Sequence, residues 1–273
     1  MPELSRELNP VLGLSVLFLT FLVGAFLYSG RPVVDFAVIA AGLAMSSLGV
    51  LRICVNCGLG IVTCCAAAAL FVFSPYMTQL AILNPFAPLI AAAGIWSLIP
   101  WVGSMAKDNG KFGLSFIMIV LPGVVFAALF TFFSNPLAMD AAGLKTFFPL
   151  PVSEHPYPAF AQLSEIKYTG RLPVAVSYLM LLFAIPGLLR LNLETALVCI
   201  IAGIFTVPAL DMPFFEIPPA IWAIYPILAI AILSANGIGI LADYIEQRYL
   251  IRPVWIFAVP VLEVLVLAYI LTY

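Results

Sequence analysis

Charge is what this sequence has least of. Of 273 residues, 11 are Lys or Arg and 13 are Asp or Glu, so 9% are charged, against about a quarter in soluble domains. A chain of this length with so few charges cannot present a wetted surface all round. The cations are scattered, there is no basic tract and the formal net charge is −2, which argues against nucleic acid as a partner. Histidine occurs once, at His155, so bis-histidine haem ligation and a histidine-based metal cluster within one chain are excluded. No alternating βαβ pattern provides a dinucleotide fold, and no nucleophile elbow points to a hydrolase. The apolar runs are continuous, not alternating, which argues against a β-barrel. No small-residue cleavage site follows the first apolar run, and Glu3 and Glu7 flank Arg6. That run therefore reads as a spanning helix and not as a cleaved signal.

Apolar residues are plentiful: 64% of the chain, with a mean hydropathy of +1.17. A bilayer core about 30 Å thick is crossed by ~20 apolar residues in a helix, and such runs fill most of the sequence. They predict an all-α, polytopic integral membrane protein with about nine transmembrane helices. The expected spans are 11–28, 34–51, 59–73, 80–101, 114–133, 172–189, 195–210, 219–240 and 253–272. The long polar segment 134–171, with five prolines and His155, separates two hydrophobic halves.

The halves resemble one another. Tyr28-Ser29-Gly30-Arg31 has a near copy in Tyr168-Thr169-Gly170-Arg171, and Gly49-Val50-Leu51-Arg52 is matched by Gly187-Leu188-Leu189-Arg190. At that second offset, with no further gap, Pro75 falls on Pro213, Pro88 on Pro226 and Pro122 on Pro260. The expected organisation is an N-terminal helix (1–28), a four-helix repeat (29–133), an extracytoplasmic linker or lid (134–167) and a second four-helix repeat (168–273). Lys and Arg set the orientation. With the N-terminus cytoplasmic, Arg6, Arg52, Lys107, Lys111, Arg190, Arg248 and Arg252 lie inside, while Arg31, Lys145, Lys167 and Arg171 lie outside. The C-terminus is then extracytoplasmic. Four spans return the chain to the side it left, so the repeats are parallel, and Arg52 and Arg190 share one face.

Glu263 is the sharpest candidate for chemistry. It stands in the last apolar run, where an ionised carboxylate facing lipid costs several kcal/mol. It is expected to face protein or an internal cavity, where it carries a proton, binds a cation, or rests as a neutral acid hydrogen-bonded to a neighbouring helix. Its counterpart in the first half is Val125, as expected of function laid on a duplicated scaffold. Asn84 lies in Asn84-Pro85-Phe86-Ala87-Pro88, which with Tyr225-Pro226 marks spans expected to be kinked or partly unwound around a cavity. Asp35 is four residues from Arg31 and reads first as its ion-pair partner. Arg52 and Arg190 read as cytoplasmic anchors or, together, as an anion-binding pair. Cys54-Val55-Asn56-Cys57 has redox or metal half-site spacing, but the ligands that would complete a zinc site are missing, so buried free thiols are expected.

Three functional classes follow. A small secondary transporter or permease, moving a small solute or ion and coupled to protons or cations through Glu263, leads. No cofactor is expected, and the bilayer is the first partner, with a homo-oligomer or other membrane subunits beside it. The alternative is a cofactor-free anchor or quinone-interacting subunit of a larger membrane complex. At fold level alone, two parallel four-helix units plus one helix are similar to the quinol-interacting anchors of modular oxidoreductases. An intramembrane enzyme acting on lipid is third, and no acidic cluster or nucleophile–base pair supports it.

Overall fold

A computed structural model describes residues 2–28, 32–83, 85–105, 177–209, 223–250 and 254–272. Among them every regular element is helical. In chain order these are α1 (Pro2–Ala25, closing in a 3-10 turn, Phe26–Tyr28), α2 (Val33–Asn56), α3 (Ile61–Val72), α4 (Pro75–Leu83) and α5 (Ala87–Met105). After the interval come α6 (Tyr178–Gly187, with a 3-10 turn Leu188–Arg190), α7 (Leu193–Ala209), α8 (Ile224–Tyr249) and α9 (Val259–Thr272, preceded by a 3-10 turn Val254–Ala258). The expected span at 114–133, the linker at 134–167, Asn84, Arg31 and His155 lie outside the described residues.

Two of these helices, α2 and α8, are long and apolar enough to cross a bilayer. Others are apolar but shorter, over Pro10–Ala25, Ile61–Val72, Ala87–Ile99, Leu193–Ile204 and Val254–Tyr269. Among the described residues, length and composition thus single out two spans, where the hydropathy of the whole sequence led to an expectation of nine. The expected fourth span, 80–101, is two helices: α4 ends at Leu83 and α5 begins at Ala87. Pro85 gives a reason, since proline supplies no amide to a preceding turn, while Pro88 sits in the first turn of α5, where none is required. The corresponding expectation at Pro226 is corrected. α8 begins at Ile224, so Pro226 occupies its first turn, where no intrahelical donor is required. From there α8 runs unbroken to Tyr249.

The helix ends have local causes. Gly58 follows α2 with a φ of +71°, the left-handed conformation that glycine adopts most readily. The amide of Leu59 then donates to the carbonyl of Cys54 at 3.1 Å, closing the last turn. Asn192 caps α7 by accepting from the Thr195 amide at 2.9 Å, and Ser177 caps α6 by accepting from the Met180 amide at 3.1 Å.

Packing is closest in two helix pairs, α2 with α5 and α6 with α8. Glycine brings each pair together. A Cβ on Gly42 would stand 2.6 Å from Pro88 and one on Gly49 would stand 2.8 Å from Ile95. In the second pair, a Cβ on Gly187 would collide with the Leu233 carbonyl and one on Gly237 with the Phe183 carbonyl. Side chains bond across both seams. Ser46 donates to the Pro88 carbonyl at 3.1 Å and Trp96 Nε1 to the Met45 carbonyl at 3.0 Å. Ser234 donates to the carbonyls of Met180 and Ile230, and Asn236 Nδ2 to that of Gly187 at 3.2 Å. Helix α3 is the centre, packed on α1, α2 and α8. Its run Ala66–Ala69 is fully buried, and alanines let three neighbours approach one short helix.

Candidate functional site: a polar cleft and a buried carboxylate

The α2–α3 turn, the start of α7 and the later turns of α8 enclose a cleft of about 470 Å³, a volume in the range of small-molecule sites. Its lining mixes the glycine turn 58–60 and polar Thr63, Asn192, Asn236 and Asp243 with apolar side chains from α3, the segment before α7, α8 and Phe257. Asn236, Gly239, Ile240 and Asp243 recur at helical spacing, so α8 presents one face to the space, polar at its two ends. Asp243 is exposed at the mouth and Asn236 is half-buried. The two are seven residues apart, about 10 Å along a helix axis. Asn236 stands at the middle of the 26-residue α8. The cleft therefore runs along the third quarter of this helix, from its middle at Asn236 to Asp243, six residues before its end at Tyr249.

The floor is fixed by short-range bonding. Asn192 uses its side-chain oxygen on the α7 cap and donates through Nδ2 to the carbonyl of Cys57, tying the glycine turn to α7. Cβ atoms on Gly58 or Gly60 would meet nothing within 4 Å, so this turn borders open space. Cys57, in the turn beyond α2, is buried, and desolvation pushes its thiol up to about 12.

Glu263 is elsewhere. The helical segment 254–272 places it at the middle, on the side shared with Val259, Val264 and Leu267, and it is only 3% exposed. Its polar neighbour is Ser177 at the start of α6, the positive end of that helix's dipole. Because the Ser177 oxygen accepts from the Met180 amide, its O–H is free to point at the carboxyl group. The second carboxyl oxygen, Oε2, is buried with no hydrogen-bond partner, which marks it as the atom for a proton, a water or a cation.

The remaining sequence candidates are dispersed. Asp35 is half-buried in the first turn of α2, where a carboxylate suits the helix dipole. Arg52 is exposed on α2, and Arg190 closes the 3-10 turn after α6. Asp35, Arg52 and Glu263 do not line the cleft. No group of three or more His, Cys, Asp or Glu among the described residues is placed to share a metal ion. The cysteines are free thiols, four of them buried and Cys199 half-buried. Asn192, Asn236 and Thr63 carry no sequence signal beyond being polar residues beside apolar runs. Comparison with protein-family models, curated proteins and solved structures gives no match.

Proposed function

We propose that the chain is a polytopic membrane permease for a small solute or ion, with the cleft as its solute path and Glu263 as the group that couples transport to protons. The observation that carries this reading is the cleft, a space of mixed polar and apolar lining that runs along α8 from its middle at Asn236 to Asp243. Membrane solute sites of this kind are formed where irregular backbone and short helices line a cavity. Here the glycine turn and the first residues of α3 and α7 supply that lining.

Embedding in lipid is supported by what the helices turn outward. Leu14, Phe18 and Leu22 on α1, Leu181, Leu182 and Ile185 on α6, and Leu262, Leu265, Val266 and Tyr269 on α9 are all exposed. Apolar stripes of this extent are unfavourable in water and favourable against acyl chains. The duplication is supported by packing. Gly49 and Ile95 meet in the α2–α5 pair, and Gly187 and Leu233, their counterparts at the same sequence offset, meet in the α6–α8 pair. A chance alignment of prolines gives no reason for equivalent residues to touch. Glu263 adds a titratable group with an unsatisfied oxygen, held at the start of a neighbouring helix.

The test is reconstitution into liposomes loaded with a pH-sensitive dye, challenged with a panel of sugars, amino acids, carboxylates and organic cations. At least one solute is expected to drive proton movement with the wild type, and Glu263→Gln to lose the coupling while keeping the fold. Asn236→Leu is expected to slow solute movement at least tenfold by filling the inner end of the cleft. Stoichiometric co-purification of soluble redox subunits, with no flux of any solute, would replace this reading with the membrane-anchor one. Undiminished coupling in Glu263→Gln would remove that residue from the mechanism.

A further inference from the structure

The C-terminal end of α8 leaves the bundle. Ala242 is buried and Ile245 half-buried, but Tyr244, Glu246, Gln247, Arg248, Tyr249 and Leu250 are all exposed. Leu250, which caps the helix, is 91% exposed and has a φ of +55°, the left-handed conformation that costs a leucine more than a glycine. The 3-10 turn Val254–Ala258 then divides. Ile256 and Phe257 are buried in the bundle, while Val254 and Trp255 point outward, with Trp255 71% exposed. Those two buried neighbours hold Trp255 on the outside. Charge is distributed just as unevenly. From Ile224 to Ala242 α8 has no charged residue, and that run rises about 28 Å at 1.5 Å per residue. Asp243, Glu246 and Arg248 all follow it.

We propose, building on the membrane-embedded reading above, that the tip formed by Tyr244, Arg248, Tyr249, Leu250 and Trp255 is an anchor seated in the head-group layer of a bilayer, and that it holds the mouth of the cleft at that level. Two of the three surroundings open to this tip are unfavourable. Bulk water would leave three aromatic rings and a leucine side chain uncovered. The acyl core would hold Glu246 and Arg248, whose charges are costly there. The head-group layer suits both sets. Trp and Tyr rings place an apolar body against the acyl chains and a polar edge toward water, while a guanidinium pairs with lipid phosphate. The lengths agree as well: the uncharged run of α8 matches a hydrocarbon core about 30 Å thick, and the mixed segment begins where that core would end. A soluble partner would also cover the rings, but it gives no reason for the match of length. Asp243 adjoins Tyr244, Phe257 is two residues from Trp255, and both line the cleft. The cleft therefore opens at the membrane surface.

The test is tryptophan quenching on the full chain in liposomes of phosphatidylcholine and phosphatidylglycerol, with the Trp255 signal taken as the difference between wild type and Trp255→Phe. The quenchers are iodide in the water and phosphatidylcholine brominated near either the carbonyl end or the methyl end of its acyl chains. Bromine near the carbonyl end is expected to quench Trp255 at least twofold more than bromine near the methyl end. Iodide is expected to quench it less than half as well as it quenches free tryptophan. Iodide quenching equal to that of free tryptophan, in chains that float with the liposomes, would overturn the proposal and leave the embedded reading standing. Stronger quenching from the methyl end would also overturn it, by putting the tip in the acyl core. Failure of the chain to float with the liposomes would overturn both.

Discussion

At the scale of single residues, burial decides behaviour. Cys57 has a thiol pushed up to about 12, so it stays protonated through the neutral range. The sign follows: desolvation disfavours the anion, and reactivity that depends on thiolate rises only as pH climbs toward that value. In a protein whose other cysteines are replaced by serine, Cys57 is expected to react with maleimide at pH 8 more than a hundredfold slower than an unhindered thiol. Stopped-flow labelling checks it. A rate within tenfold of a free thiol would mean that the turn opens. Glu263 was legible from sequence because a carboxylate in an unbroken apolar run is an anomaly whatever the fold. Asn192, Asn236 and Thr63 were not. Each is an ordinary polar residue locally, and only the approach of α2, α7 and α8 places them around one space. Gly237-Ile238-Gly239 reads from sequence as close packing, and Gly237 does approach the Phe183 carbonyl.

At the scale of helices, the seams rest on missing side chains. Gly187→Ala and Gly237→Ala each thrust a methyl group into a backbone carbonyl, which cannot rotate aside. Each is expected to cost about 1–3 kcal/mol by forcing α6 and α8 apart. Gly203→Ala, where a Cβ meets nothing within 4 Å, is expected to be neutral or slightly stabilising, since alanine favours the helix. Thermal denaturation in detergent separates the three, and equal loss at Gly203 would mean that the seams are not the cause. Hydropathy located the helices but not their breaks. The division between α4 and α5 falls at Pro85, whereas Pro88 and Pro226 each sit harmlessly in a first turn.

At the scale of the molecule, the outward apolar stripes have an immediate consequence. The protein is expected to stay with the membrane pellet after an alkaline carbonate wash and to need detergent for release; recovery in the wash supernatant would sink the embedded reading. The all-helical architecture was legible because long apolar runs without alternation leave little else. The pairing of α2 with α5 and of α6 with α8 was foreshadowed only as a correspondence between halves. Proline and glycine positions carry an alignment but not a list of contacts.

The central helix, α3, has 12 residues, a rise of about 18 Å at 1.5 Å per residue, against a hydrocarbon layer about 30 Å thick. Its first residues adjoin the cleft, so water standing in that space occupies depth that protein leaves unfilled. In a bilayer, an applied transmembrane voltage would then drop mainly across the dry remainder. For the permease proposed above, most of the electrical distance would then lie beyond the inner end of the cleft.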